Sequence, residues 1–153
     1  MLAEEIMTRD PRTIPTSATI ADAVDALETM HVRHVPVVDD RGILVGIVSD
    51  RDLGPLMKTF IIDAVVERMP YPPDERSVTE VMTAAPAALR DDALLTEIID
   101  TLIEERIGAV PIVDDANHVI GIVSYVDLLK ALRAKCEAEL PRRASRGRGA
   151  PAG

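Results

Sequence analysis

Apolar positions follow two alternating rhythms along the chain. Ile20, Ala23, Val24 and Leu27 recur at helical spacing, and Leu95, Ile98, Ile99 and Leu102 do so again later. Val35 to Val38 and Val110 to Val113 are short apolar runs that stop at Asp-Asp pairs, Asp39-Asp40 and Asp114-Asp115. They read as strands, with Pro36 and Pro111 expected at a strand start or edge because proline donates no ladder bond. Leu44 to Val48 and Val119 to Val123 follow as second strands of hairpins. A short strand near Arg12 to Ile14 opens the pattern. Helices close it, from about Asp50 to Met57 and from about Tyr125 to Ala134. The predicted unit is β-α-β-β-α, occurring twice.

The two units are copies. A shift of 75 positions lays Met7-Thr8 on Met82-Thr83, Pro11 on Pro86, and Val35-Pro36 on Val110-Pro111. The same shift lays Gly46-Ile47-Val48-Ser49 on Gly121-Ile122-Val123-Ser124, and Asp52-Leu53 on Asp127-Leu128. The shared residues cluster at Gly, Pro, Ser and Asp, which have special turn and capping roles. The predicted fold class is therefore α/β with an internal repeat. The first repeat, with an N-terminal helix, covers 1–57. A linker helix (Lys58 to Met69) and a Pro-rich turn fill 58–76. The second repeat covers 77–140, opening on the capping-box spacing of Ser77-Val78-Thr79-Glu80. Gly54-Pro55 is expected to distort the last helix of the first copy. The segment 141–153 holds Arg142, Arg143, Arg146 and Arg148 and no acid, and reads as a disordered basic tail.

Composition narrows the function. The chain has 153 residues, a net charge of −9, 47% hydrophobic and only 2% aromatic residues. The core must be aliphatic, and the aromatic platforms that stack bases are missing. An acidic body repels phosphate backbones, so nucleic acid is an unlikely partner by charge. The arginine tail keeps two readings open, solvated chain or contact with an anion or nucleic acid. One cysteine, Cys136, excludes an internal disulfide framework and reads as an inert thiol. Glu4 and Glu5 sit where a secretory leader needs basic residues, and no apolar run is long enough for a span. A cytoplasmic, non-membrane protein is expected. Phosphate-loop, His-Glu-x-x-His and Cys-x-x-Cys motifs are absent from the sequence. His31, His34 and His118 read as surface residues without spaced metal partners. No catalytic centre and no metal site are predicted.

The remaining chemistry lies in Gly-aliphatic-aliphatic-Ser-x-x-Asp. Ser49 with Asp52 and Ser124 with Asp127 have the spacing of a helix cap. The same geometry serves a ligand: free N–H groups at a helix start suit a phosphate, and a carboxylate one turn in suits vicinal hydroxyls. Local spacing leaves both readings open.

The unit order, Met-Thr-x-x-Pro, the Val-Pro strand and the Ser-x-x-Asp ending together resemble cystathionine β-synthase (CBS) domains. Two in tandem resemble a Bateman module, over residues 1 to about 134. The resemblance implies two repeats packed about a pseudo-two-fold axis, homodimerisation, and clefts that take AMP, ADP, ATP or S-adenosylmethionine as regulatory ligands, with no required cofactor. It implies ribose contacts for Asp52 and Asp127 and phosphate contacts for Ser49 and Ser124. It implies adenine contacts for Thr13, Ile14 and Pro15 with Arg33 to Pro36, and for Ala88, Leu89 and Arg90 with Gly108, Ala109, Val110 and Pro111.

The copies differ at this edge. Gly108 would let a purine approach the backbone closely, whereas Arg33 and His34 add bulk and either contact phosphate or are solvated. The adenine slot is expected at Gly108, with phosphate help from Arg33 and His34. Asp50 repels a phosphate and Arg51 offsets it. Tyr125, at the Asp50 position, either donates its hydroxyl or packs. Long-range repulsion predicts weaker binding of ATP than of AMP. The expected function is a regulatory adenosine-ligand module that signals to a separate, unidentified effector chain. The alternative is a ligand-free homodimeric interaction scaffold.

Overall fold

The hydrophobic rhythm becomes two four-stranded sheets that trade their first strands. The computed structural model describes residues 1–54 and 75–139. The linker helix, the Pro-rich turn, the Gly54-Pro55 junction and the arginine tail lie wholly or partly outside the described residues.

In chain order the elements are α1 (Ala3–Ile6), β1 (Thr8–Arg9), β2 (Ile14–Pro15), α2 (Ile20–Thr29), β3 (His34–Val38) and β4 (Leu44–Ser49). Helix α3 begins at once and is described over 50–54. A 3-10 turn (Val78–Glu80) leads to β5 (Thr83–Ala84), β6 (Leu89–Arg90), α4 (Leu95–Glu104), β7 (Ala109–Val113), β8 (Val119–Ser124) and α5 (Tyr125–Glu139). Helix α5 runs five residues beyond the expected end at Ala134. Its last stretch is exposed and is carried by residues with good helix propensity.

The sheets run β2-β3-β4-β5 and β1-β8-β7-β6. β1 therefore completes the second repeat's sheet, and β5 completes the first repeat's. The exchange is reciprocal. Leu2 bridges Leu94 while its counterpart Ser77 bridges Thr19, and Ile43 bridges its own counterpart His118. That is the bridge pattern of a two-fold relation, with Ile43 and His118 beside the axis. Each exchange also packs a methionine against a glycine of the other copy. Met7 lies over Gly121 and Met82 over Gly46, where any Cβ would collide with the sulfur. The Gly of one copy and the Met-Thr of the other are thus one packing device.

Two aliphatic cores result. Ile14, Ile20, Val35, Val37, Val48, Leu53 and Val78 form one; Ala3, Met7, Ile98, Val110, Ile112 and Val123 form the other. Each holds residues from the opposite end of the sequence. Pro36 and Pro111 are the third residues of β3 and β7 and fully buried, not strand starts. Asp50 N–H donates to Arg33 O at 3.1 Å, so the residues of β3 that bond β4 alternate from Arg33 and skip Pro36. The ring-blocked nitrogen faces the other flank, where β2 begins only opposite Val37. The Asp-Asp turns form as expected. Asp39 Oδ1 accepts from Arg41 and Ile43 N–H, and Asp114 Oδ1 from Ala116 and His118 N–H, all at 2.9 Å.

Left-handed backbone also obeys the repeat. Asp10 and Ala85, His31 and Arg106, Gly42 and Asn117 have positive φ, each pair 75 residues apart. Gly42 and Asn117 serve the hairpin turns. The other two pairs lie at the rims of the clefts described next.

Candidate functional site

Each Ser-x-x-Asp forms a closed cap at the strand-to-helix junction. Asp52 Oδ2 accepts from Ser49 N–H and from Ser49 Oγ, both at 2.7 Å. Asp127 Oδ2 accepts from Ser124 N–H at 2.9 Å and from Ser124 Oγ at 2.6 Å. One carboxylate oxygen takes both bonds, so the cap is satisfied while the side chain stays partly exposed. Asp127 Oδ1 is 3.9 Å from Lys130 Nζ. Capping and ligand holding are therefore compatible uses of one aspartate.

The caps open into two clefts of nearly equal size, about 530 and 520 Å³, within the range of small-ligand sites. The first cleft joins Ser49 and Asp52 of the first repeat to Thr83–Ala87 and Arg106–Ala109 of the second. The second joins Ser124 and Asp127 of the second repeat to Thr8–Arg12 and Met30–His34 of the first. Each cleft thus takes its acid from one copy and its rim from the other. Gly108, the expected adenine slot, faces the Ser49–Asp52 cleft and not the cap of its own repeat at Asp127. Gly108 meets the first repeat across the two copies, a contact that a linear reading of each copy does not show.

A partition shared by both clefts is built from Arg33, His34, Ala109 and Tyr125. Arg33 Nε donates to Asp50 Oδ2 at 2.8 Å, and Nη1 donates to Tyr125 Oη at 2.8 Å. These bonds raise the guanidinium's pKa further, chiefly through Asp50. His34 lies against Gly108, where a Cβ would come 2.8 Å from its ring. The close approach that Gly108 permits is therefore made by His34. Correspondingly, His34 is half-buried rather than a surface residue, and burial lowers its pKa, with Arg33 adding to the effect and Asp50 and Asp52 opposing it. His118 is also half-buried, with Nδ1 3.2 Å from Asp114; His31 is exposed.

Of the other expected contacts, Thr13, Ile14, Ala88, Leu89, Val110 and Pro111 line neither cleft. Ile14, Val110 and Pro111 are buried in the sheets. The residues just before them, Thr8–Arg12 and Thr83–Ala87, line the clefts instead. Met-Thr-x-x-Pro marked these segments in the sequence without indicating what they face. Two of their residues, Asp10 and Ala85, hold positive φ, and strained backbone of this kind gathers at functional sites. Lys130, Met30 and His31 had no sequence signal. Among the described residues no group of His, Cys, Asp and Glu is placed to hold a metal, and no helix is long and apolar enough to cross a membrane.

The CBS domain family model matches residues 3–53 and 78–134. Inosine-5′-monophosphate dehydrogenase of Methanocaldococcus jannaschii is 30% identical over 128 residues, 84% of this chain and 23% of that protein. The chain spans less than half the length of the first curated relatives it matches. The CBS domain pair of protein MJ0100, solved with 5′-methylthioadenosine and S-adenosyl-L-methionine, superposes with a TM-score of 0.71 at 26% identity, covering 88% of this chain and 98% of that one. CBSX2, a protein of Arabidopsis thaliana, was solved with AMP and superposes with a TM-score of 0.71 at 28% identity, with the same coverage.

Proposed function

The chain belongs to the CBS domain family, and from that premise we propose that it is a regulatory module whose clefts bind adenosine ligands. The observation that carries this reading is the pair of clefts that each hold a Ser-x-x-Asp cap at a helix start. The partly exposed carboxylate offers acceptors for two ribose hydroxyls. The helix start offers N–H groups and partial positive charge to a 5′ group. Similar CBS pairs have been solved with AMP, with 5′-methylthioadenosine and with S-adenosylmethionine, which supports the same ligand class here. Ser49 and Asp52 serve one ligand, Ser124 and Asp127 the other, with Arg33 and His34 between them.

Such a ligand regulates only if it prefers one of two conformations. The partition is where a preference would arise, because Arg33 joins Asp50 of the first repeat to Tyr125 of the second. The output passes to a separate effector chain from a homodimer. Leu129 and Leu132, exposed on α5 at 59% and 57%, support such a contact.

Thermal unfolding with AMP, ADP, ATP, S-adenosylmethionine and 5′-methylthioadenosine tests the reading. A ligand at about 100 times its Kd adds about 2.7 kcal/mol and raises Tm by several degrees. The shift should vanish in the double variant Asp52→Ala, Asp127→Ala. No shift with any of these ligands, on nucleotide-free protein, would leave the interaction scaffold as the function.

A further inference from the structure

The clefts have matching backbones, but one rim segment is charged in one and bare in the other. In the Ser124–Asp127 cleft the segment after Thr8 is Arg9-Asp10-Pro11-Arg12. Its counterpart in the Ser49–Asp52 cleft, after Thr83, is Ala84-Ala85-Pro86-Ala87. Elsewhere on the rims, Met30 of the first repeat is replaced by Glu105 of the second. Lys130 adds a further cation to the Ser124–Asp127 cleft. Arg12 is exposed and has no ion pair among the described residues; Arg9 is held by Glu4 O at 3.1 Å and lies 3.9 Å from the Glu4 carboxylate.

In the Ser49–Asp52 cleft, Arg51, Arg106 and the shared Arg33 are matched by Asp50, Asp52 and Glu105, whereas the Ser124–Asp127 cleft sets Arg9, Arg12, Lys130 and the shared Arg33 against only Asp10 and Asp127. In a chain of net charge −9, a local surplus of arginine and lysine over acid at one mouth is an anion receptor by Coulomb's law. The alanine rim offers methyl groups and no cation, while Glu105 repels an anion.

We propose that the two clefts divide adenosine ligands by the charge of the 5′ group. The Ser124–Asp127 cleft takes a 5′-phosphorylated adenosine, its phosphate met by Arg12 with Arg9 and Lys130. The Ser49–Asp52 cleft takes an adenosine with an uncharged 5′ group, packed against Ala84, Ala85 and Ala87. The inference rests on the adenosine reading above and assigns each cleft its own ligand class.

Isothermal titration of the full chain with AMP and with 5′-methylthioadenosine tests it. Each should bind at one site per chain, and saturation with one should not displace the other. Arg12→Ala, an exposed position that leaves the fold intact, should weaken AMP about tenfold or more, as loss of a charge-assisted bond does, and leave 5′-methylthioadenosine unchanged. Asp127→Ala should remove AMP alone, and Asp52→Ala 5′-methylthioadenosine alone. Raising salt should weaken only AMP. Ala87→Arg should create a second AMP site.

AMP lost in Asp52→Ala but kept in Asp127→Ala, or mutual displacement of the two ligands, would overturn the division while leaving the adenosine reading intact. Binding of neither ligand to the unaltered chain would overturn both.

Discussion

The Ser49–Asp52 and Ser124–Asp127 clefts share a scaffold to the level of φ angles. Positive φ recurs at Asp10 and Ala85 and at His31 and Arg106, and both caps close with the same two bonds. Their side chains diverge on one rim segment, with Arg9 and Arg12 in one and Ala84 and Ala87 in the other. The partition is built unevenly too: Arg33 and His34 stand where the second copy has Gly108 and Ala109, and they fill the space between both clefts. Duplication kept the backbone of the two clefts and left their rim side chains free to differ.

The cores give the largest test of how far the copies have separated. Ile20 is 1% exposed, whereas its counterpart Leu95 is half-buried. Ile20→Ala should cost about 2–5 kcal/mol, the range for a buried aliphatic truncation, and Leu95→Ala clearly less. Urea denaturation of both variants measures this, and equal losses would mean that the copies pack alike.

The glycine–methionine contacts come next. Gly121→Ala must displace Met7, which is 9% exposed, and should cost about 1–3 kcal/mol. Gly46→Ala meets the half-buried Met82 and should cost less. A reversed order would show that Met7, not Met82, is the freer of the two.

Backbone strain separates the rims by less. Ala85 pays for its φ of 46° with no polar side chain to help, while Asp10 tolerates 47° better. Ala85→Gly should stabilise by up to about 1 kcal/mol and Asp10→Gly by less, read as Tm.

The smallest effect is the pH response of the partition. Burial lowers the His34 pKa from its ordinary 6.5. Below that value the unfolded chain takes up a proton that the folded chain resists. Stability from this group is full above 6.5, falls as pH drops, and levels off once the folded value is passed. His34→Gln should flatten the Tm profile below pH 6.5. An unchanged profile would place the titration elsewhere.

The sequence revealed the repeat because Met-Thr, Val-Pro, Asp-Asp and Gly-Ile-Val-Ser recur at one spacing. It revealed the strands because Val35 to Val38 and Val110 to Val113 are apolar runs stopped by turn-forming aspartates. It did not reveal that β1 and β5 change sheets. Periodicity shows that two segments are alike, not which sheet each one joins. For the same reason Asp52 and Asp127 were visible as candidate ribose holders, but the rims they face were not. Thr8–Arg12 and Thr83–Ala87 reach the clefts only through the exchange. The covering of Gly108 by His34 was equally hidden, since the two residues meet across the repeats.

The most direct test of the account is a crystal structure of the chain grown with saturating AMP. The account predicts AMP in the Ser124–Asp127 cleft, its ribose on Asp127 and its phosphate at Arg12. AMP held instead at Ser49 and Asp52, or clefts empty of nucleotide at saturation, would contradict it.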